Sequence, residues 1–315
     1  MKVMKRLSEK EIIRTFQQKK SISEDVEIFK LGNELCAANI DTLVESTDVP
    51  PKSDLTHIAR KSVVSSVSDF AAKGIIPKFC IISVTIPKKF SKKQIEKMAM
   101  GFRKACNEFG LAYLGGDTNE GKEIVIHVVL FGRVDKIVTR YGARSGDIII
   151  TTGPFGYTSS ALQILLKNKK STKQFAKLAK TKFFQPIPRL KFGLSCKNLL
   201  SSSIDSSDGL SSCLQELSKS SKKQFVITNF PVKDDVIAFA KMNKLDLKKI
   251  ILNGGEEFEL VCTVSLKNLA KVKKIAKKLK ICLYEIGFVT NGKHVMLENN
   301  GKQSRMMDVG WSHFQ

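Results

Sequence analysis

The chain has 315 residues with a hydrophobic fraction of 42%, enough for two domains that each bury a core. No apolar run reaches the roughly 18 to 20 residues of a bilayer-crossing helix, and Met1–Lys10 is basic with no apolar segment behind it, so the expectation is a cytoplasmic protein without a secretory signal or membrane contact. The net charge of +23 attracts anions, but the lysines of Lys167–Lys182 and Lys267–Lys280 share helical patterns with apolar residues and lack interleaved aromatics, which reads as a solvated basic face and not as a specific nucleic-acid site.

In chain order, Ser8 and Glu11 have capping-box spacing ahead of Ile12, Ile13 and Phe16, which predicts an opening helix. A turn over Ser21–Asp25 follows. Val26–Leu31 and Glu34–Ile40 read as a hairpin around Gly32-Asn33. Asp41 closes this second strand, so its side chain is expected at the edge where strand gives way to loop. Asp48 follows in that loop, before Pro50 and Pro51, and Ser53 or Asp54 offers the N-cap of a helix running to Gly74. Ile58, Val63, Val67 and Phe70 fit its core side, while Ser65, Ser66, Ser68 and Asp69 form a polar patch that faces a site.

Pro77–Ile86 reads as a buried strand. Ser91 with Gln94 starts a helix striped by Ile95, Met98, Phe102, Ala105 and Phe109, and Gly110 stops it. Leu111–Leu114 is a short strand entering the loop Gly115-Gly116-Asp117-Thr118, and Glu123–Val134 is a long one ending near Arg140. The alternation of strands and helices gives an α/β (α+β) class. A boundary at Arg140 divides the chain into domains 1–139 and 140–315.

The second half opens with strand Ile148–Thr152 and the turn Gly153–Gly156, which is either a phosphate loop or an ordinary strand-to-helix turn. Helices follow through Leu165, around Phe175, and from Arg189 to Leu200. Ser203–Asp208 is a short strand and turn, and Gly209 opens another helix. Gly254-Gly255-Glu256-Glu257 precedes strand Phe258–Val264. A helix, a strand ending at Ile286-Gly287 and a hairpin lead to Trp311.

The acids sit apart from the lysines and beside glycine: Asp117 after Gly115-Gly116, Asp208 before Gly209, Glu256 after Gly254-Gly255. Two like charges at about 4 Å repel by roughly 4 kcal/mol at an effective dielectric near 20, so converging carboxylates call for divalent cations. Oxygen donors with few His or Cys companions suit Mg²⁺. The seven cysteines show no CxxC spacing and sit mostly among apolar neighbours, as small core residues of a reducing compartment. No GxxxxGK[ST], GxGxxG, Ser-His-Asp or Cys-His arrangement occurs, so nucleophilic catalysis has no support.

The ordered set DTLVESTDVP, SDFAAKGIIP, GGDTNEG, TRYGARSGD, TGPFGYTSSAL, PIPR, SIDSSDGL, GGEEFEL and GWSHF resembles the thiamine-monophosphate kinase family, its archaeal form above all, within the aminoimidazole-ribonucleotide synthetase-like superfamily. The resemblance implies a two-domain PurM-like fold: an N-terminal domain that completes a β-barrel with its copy in a homodimer, a C-terminal α/β domain, and ATP in the cleft between. It further implies that Asp25, Asp41, Asp69, Asp117 and Asp205 hold the Mg²⁺ ions of the ATP phosphates, with Asp208 a further ligand. Gly116, Asp117, Arg140 and Ser207 contact ATP, with Asp41, Asp117 and Arg140 carrying the chemistry. Asp48, Glu256 and Trp311 hold thiamine monophosphate, whose cationic thiazolium suits an indole.

The chain departs from the family pattern at Ser23-Glu24-Asp25 (for Gly-Asp-Asp), Ile40 (for Thr), Glu257-Phe258 (for Asp-Tyr) and Tyr157 (for Asp). The implied reaction is direct transfer of the ATP γ-phosphoryl group without a general base. A selenophosphate synthetase-like activity needs a reactive residue near the N-terminus, whereas the first cysteine here is Cys36. A basic nucleic-acid-binding module leaves the motifs unexplained.

Overall fold

Along Glu34–Val44, Ala37, Asn39 and Leu43 are buried while Ile40 and Thr42 are exposed, a period of two that marks the longest strand among the described residues. A computed structural model describes residues 9–16 and 24–311. The predicted opening helix is present as α1 (Glu9–Phe16), although its expected cap, Ser8, and most of the turn after it lie outside the described residues.

The first half contains β1 (Glu27–Leu31), β2 (Glu34–Val44), the helical turn α2 (Glu45–Asp48), α3 (Leu55–Lys73), β3 (Phe79–Pro87), α4 (Lys92–Phe109), β4 (Ala112–Gly121) and β5 (Val125–Arg133). Its five strands run in the order β1-β2-β5-β3-β4, antiparallel except for the β3–β4 pair. Asp54 caps α3 by accepting from Thr56 N, and Gly74 ends it at φ +66, a left-handed value that glycine adopts without strain. Ser91 and Gln94 form the predicted capping box on α4.

Both helices lie on one face of the sheet. Ile58, Val63, Val67 and Phe70 of α3 and Met98 and Ala105 of α4 pack there on Ile82, Ile126, Val128 and Leu130. The opposite face is open, and Ile40, Val129 and Ile81 stand in register across it, with Ile40 64% exposed.

Strand pairing corrects two expectations. β2 pairs with β5 as far as Val44↔Val125, so Asp41 lies inside the strand and not at its end. Gly115-Gly116-Asp117-Thr118 is likewise strand, because β4 pairs with β3 through Gly121. The ladder supplies backbone partners that outweigh the turn preference of Gly and Asp.

The second half holds β6 (Ile148–Thr151), α5 (Tyr157–Lys167), α6 (Lys173–Phe184), α7 (Leu190–Cys196), β7 (Leu200–Asp205), α8 (Leu210–Ser221), β8 (Gln224–Ile227), α9 (Asp234–Met242), α10 (Leu247–Leu252), β9 (Leu260–Val264), α11 (Leu266–Lys278), β10 (Tyr284–Thr290), β11 (Val295–Asn299) and β12 (Lys302–Arg305). The seven strands run in the order β12-β11-β8-β10-β6-β9-β7. The helix expected to reach Leu200 stops at Cys196, since Leu200 already pairs with Val264. β9 begins at Leu260 and not at Phe258, whose φ of +51 is incompatible with a strand. β10 continues beyond Gly287 to Thr290, paired with β8. In α11, Val272 and Ala276 are buried while its lysines are exposed, which is the solvated basic face the sequence predicts.

α3 joins the two halves. Its Ala71 and Ala72 share a core with Phe192 and Cys196 of α7. The approach is so close that a Cβ on Gly193 would lie 1.9 Å from Ala71 O.

Candidate active site

The polar residues in α3 are buried without leaving their helix, and the reason lies in what faces them. Asn39, on the helix-covered side of β2, donates through Nδ2 to Ser66 O at 3.0 Å and to Asp69 Oδ2 at 2.8 Å. Asp41, two residues along the same strand face, lies 3.4 Å from that amide nitrogen. Asp205 arrives at the end of β7, and Asp25 just ahead of β1. Asp25, Asp69 and Asp205 each place a carboxylate oxygen within 4.8 Å of the others, the one such group among the described residues. Four distant stretches of sequence thus converge on one point between the two halves.

The charges bear out the crowding. Burial pushes Asp205 up to about 7, with the Asp25 charge adding to it. Asp69 is raised well above its ordinary value, first by burial and then by Asp41, Asp205 and Asp25. Asp41 is raised by burial, against hydrogen bonds from Ser66 and Ser65. Burial and mutual repulsion thus disfavour the charged form of all three.

Asp25 behaves in the opposite way. Burial alone would raise it, but Lys73 and Arg140 together hold it below its ordinary value. The Lys73 ammonium lies 2.7 Å from Asp25 Oδ2 and 2.5 Å from Glu24 Oε2. Arg140 donates through Nε to Asp25 Oδ1 at 3.0 Å and also through Nη2, while its backbone N–H donates to Glu24. An oxygen-only set of this kind fits a hard divalent cation.

The other predicted residues lie around this centre to different degrees. Ser207 and Asp208 are exposed on the turn between β7 and α8. Ser207 O accepts from Glu256 N at 2.7 Å, and Asp208 O accepts from Trp311 N at 2.9 Å. One turn therefore gathers predicted ATP, metal and substrate residues, with Trp311 55% exposed beside it. Glu256 has a φ of +62 and pairs with Lys61 at 2.6 Å. Asp48 ends α2, where its Oδ2 accepts from Val44 N at 2.7 Å. Asp117 stands apart on the exposed edge strand β4, accepting from Asn119 Nδ2 at 2.9 Å, and is not in the three-carboxylate group. At Gly116 beside it, a Cβ would meet Ile82 O at 1.7 Å, so the strand can pair only with glycine there.

Besides Glu24, two further departures have visible partners. Glu257 is buried and accepts from Gly156 N at 2.7 Å and Thr158 N at 3.2 Å, at the start of α5, with burial raising it to about 7. Tyr157 donates its hydroxyl to Asp235 at 2.8 Å. Ile40 points to the open face of β2, away from Asp41.

Lys73 and Asn39 contact the carboxylate group and Lys61 pairs with Glu256, none of them signalled by the sequence, whereas Glu24 stood out there only as a departure from the family pattern. A lysine in the last turn of a helix reads as a partner for the helix dipole. Asn39 had one available signal: in a strand, it shares a face with Asp41.

Residues 23–134 match the family model described as AIR synthase related protein, N-terminal domain, and residues 144–298 match its C-terminal domain. The thiamine-monophosphate kinase of Nitrosopumilus maritimus is 51% identical over 314 residues, covering 99% of this chain and 100% of that protein. The thiamine-monophosphate kinase of Pyrococcus horikoshii is 32% identical, covering 99% of this chain and 98% of that protein. The fold matches a solved structure described as AaThiL complexed with AMPPCP and TMP, with a TM-score of 0.86, 24% identity and coverage of 98% and 97% of the two chains. With both halves matched in order and the relatives aligned end to end, the chain belongs to the thiamine-monophosphate kinase family.

Proposed function

We propose that this chain transfers the γ-phosphoryl group of ATP to the phosphate of thiamine monophosphate, giving thiamine diphosphate and ADP. The observation that carries the reading is the convergence of Asp25, Asp69 and Asp205, joined to Asp41 through Asn39, at the junction of two domains whose close relatives are named for this activity. The related AaThiL structure holds AMPPCP and TMP together.

Asp25, Asp41, Asp69 and Asp205 would hold Mg²⁺, with Asp117 and Asp208 as ligands brought in with the nucleotide. Such ions, when bound, neutralise the phosphate oxygens on which charge develops. The chain's own residues position the reactants. Arg140, fixed by Asp25 and Glu24, presents a cation to the ATP phosphates, and the Ser207-Asp208 turn and Gly116 offer backbone to them. Asp48, Glu256 and Trp311 receive thiamine monophosphate. Its phosphate is already largely ionised at neutral pH, so positioning and charge neutralisation suffice without a general base.

The open face of the first sheet, with exposed Ile40 and Phe79 and with Tyr113 and Leu114 on edge strand β4, supports a homodimer in which two copies complete a β-barrel. The division falls at residue 140, between the two sheets. No described helix is long and apolar enough to cross a membrane, and the free, mostly buried cysteines support a cytoplasmic location.

The test is ADP and thiamine diphosphate formation by purified protein with ATP, Mg²⁺ and thiamine monophosphate, beside free thiamine and beside EDTA. Product is expected only with the monophosphate and metal. Equal turnover on free thiamine, or turnover in EDTA, defeats the reading.

A further inference from the structure

Between the second half of α8, the turn joining β10 to β11 and the end of β12 lies a cavity of about 570 Å³, lined by none of the residues assigned above to metal, ATP or thiamine monophosphate. Its size falls within the roughly 300–1,000 Å³ of small-molecule sites. Lys219, Lys222, Lys223, Lys293 and Arg305 line it, together with His294. Among the described residues, none of these five cations lies within ion-pair distance of a carboxylate. The acids in the same wall are Glu216 and Asp308, and Asp308 is already engaged by Ser212 Oγ at 2.8 Å and by Gly310 N at 3.0 Å.

Helix ends account for only part of this charge. Lys219 and Lys222 lie at the C-terminus of α8, where the helix dipole favours a cation. Lys293 and Arg305 come from a turn and an exposed strand, where no helix dipole calls for them. The walls are also fixed. Gln215 Nε2 donates to Met306 O at 2.6 Å, Ser218 Oγ to Lys223 O at 2.6 Å, and Lys223 Nζ to Asn291 Oδ1 at 3.0 Å. His294 stands at φ +75, and its carbonyl accepts from Phe225 N at 3.1 Å. That conformation is unfavourable for a residue with a Cβ, so strain is kept in the turn that presents Lys293.

We infer that this cavity is a second anion site, taking a diphosphate-bearing small molecule. A diphosphate carries several charged oxygens on a compact group, which suits a guanidinium fork flanked by ammoniums. The cavity wall at Met306–Asp308 leads directly to Gly310 and Trp311, so the site adjoins the segment that ends at a proposed substrate residue.

The experiment titrates the full-length protein with inorganic pyrophosphate, and separately with ADP, by isothermal calorimetry in EDTA, where the carboxylate cluster has no cation to draw a phosphate to it. The variants are Lys219→Met/Arg305→Met, Lys222→Met/Lys293→Met and a control pair on α11, Lys271→Met/Lys274→Met. All six side chains are exposed, so each variant is expected to fold. The wild type is expected to bind one pyrophosphate per chain, with each cavity pair weakening it about tenfold or more and the control pair changing it less than about twofold. ADP weakened in parallel extends the ligand class to nucleotides, and ADP unaffected by the cavity pairs confines it to the inorganic anion. Absence of saturable pyrophosphate binding overturns the inference, as does equal weakening by all three pairs, which would leave only the general field of the +23 charge. A single-stranded oligonucleotide bound through these residues, with no pyrophosphate binding, overturns it in favour of nucleic acid. None of these results bears on the proposed kinase reaction, in which the substituted residues have no part.

Discussion

The Lys61 ammonium lies 2.6 Å from Glu256 Oε2 and 4.0 Å from the centroid of the Phe183 ring, tying α3 to the Gly254–Glu257 turn in the other half of the chain. Glu256 occupies a left-handed backbone conformation, and its N–H is held by Ser207 O. The ion pair therefore fixes where a proposed substrate carboxylate stands. Lys61→Met is expected to raise KM for thiamine monophosphate more than it lowers kcat, and to cost about 1–3 kcal/mol of stability. Steady-state kinetics with urea unfolding reads both, and an unchanged KM in a folded variant contradicts the assigned role.

Asp41 and Asp117 differ in surroundings but share a proposed duty toward metal and nucleotide. Asp41→Asn removes a charge from a crowded, buried cluster, so the metal-free fold should be no less stable. Asp117→Asn alters an exposed strand position and should change stability by no more than about 0.5 kcal/mol. Turnover should fall by orders of magnitude in each. Near-normal turnover in either variant argues against its assignment.

The raised carboxylates set a pH dependence whose sign is fixed. Asp205 binds its proton more tightly in the folded chain, moving from 3.8 to about 7 through burial and then the Asp25 charge. Its contribution is complete below the unfolded value and is lost as pH rises through about 7; Asp41 and Asp69 shift in the same direction. Asp25, lowered, acts oppositely and loses its contribution only in acid. In EDTA, the melting temperature should therefore decline from about pH 5 to about pH 8, and Asp205→Asn should flatten the decline. A wild-type profile that rises over this window, or a variant with the same slope, would refute this.

At Gly116, β4 lies against β3 with no room for a side chain. Gly116→Ala would force a Cβ against Ile82 O, 1.7 Å away, so the pair must separate. A destabilisation of about 1–3 kcal/mol is expected from such overpacking, together with lost turnover. Wild-type urea unfolding would show that the strands accommodate the methyl.

Much of this architecture is legible in the residues themselves. The hairpin around Gly32-Asn33, the α4 capping box and the glycine ends of α3 and α4 depend on local chemistry, and each occurs where the sequence places it. The polar patch of α3 was legible too, because Ser65, Ser66, Ser68 and Asp69 stand where a helix would ordinarily use Ala or Leu. Strand lengths were not: whether Asp41 and Asp117 fall in loop or ladder depends on β5 and β3, which lie far away in sequence. The pairing of Lys73 with Asp25 was equally hidden, since nothing local tells a helix-end lysine from one buried against another segment.

The proposed acceptor of the transferred group is a phosphate and not a hydroxyl. Incubation with ATP labelled in its γ-phosphate, thiamine monophosphate and Mg²⁺, followed by separation of the products, tests it most directly. The label is predicted in the terminal phosphate of thiamine diphosphate, in equal amount to the ADP formed. Label appearing only in inorganic phosphate would contradict it.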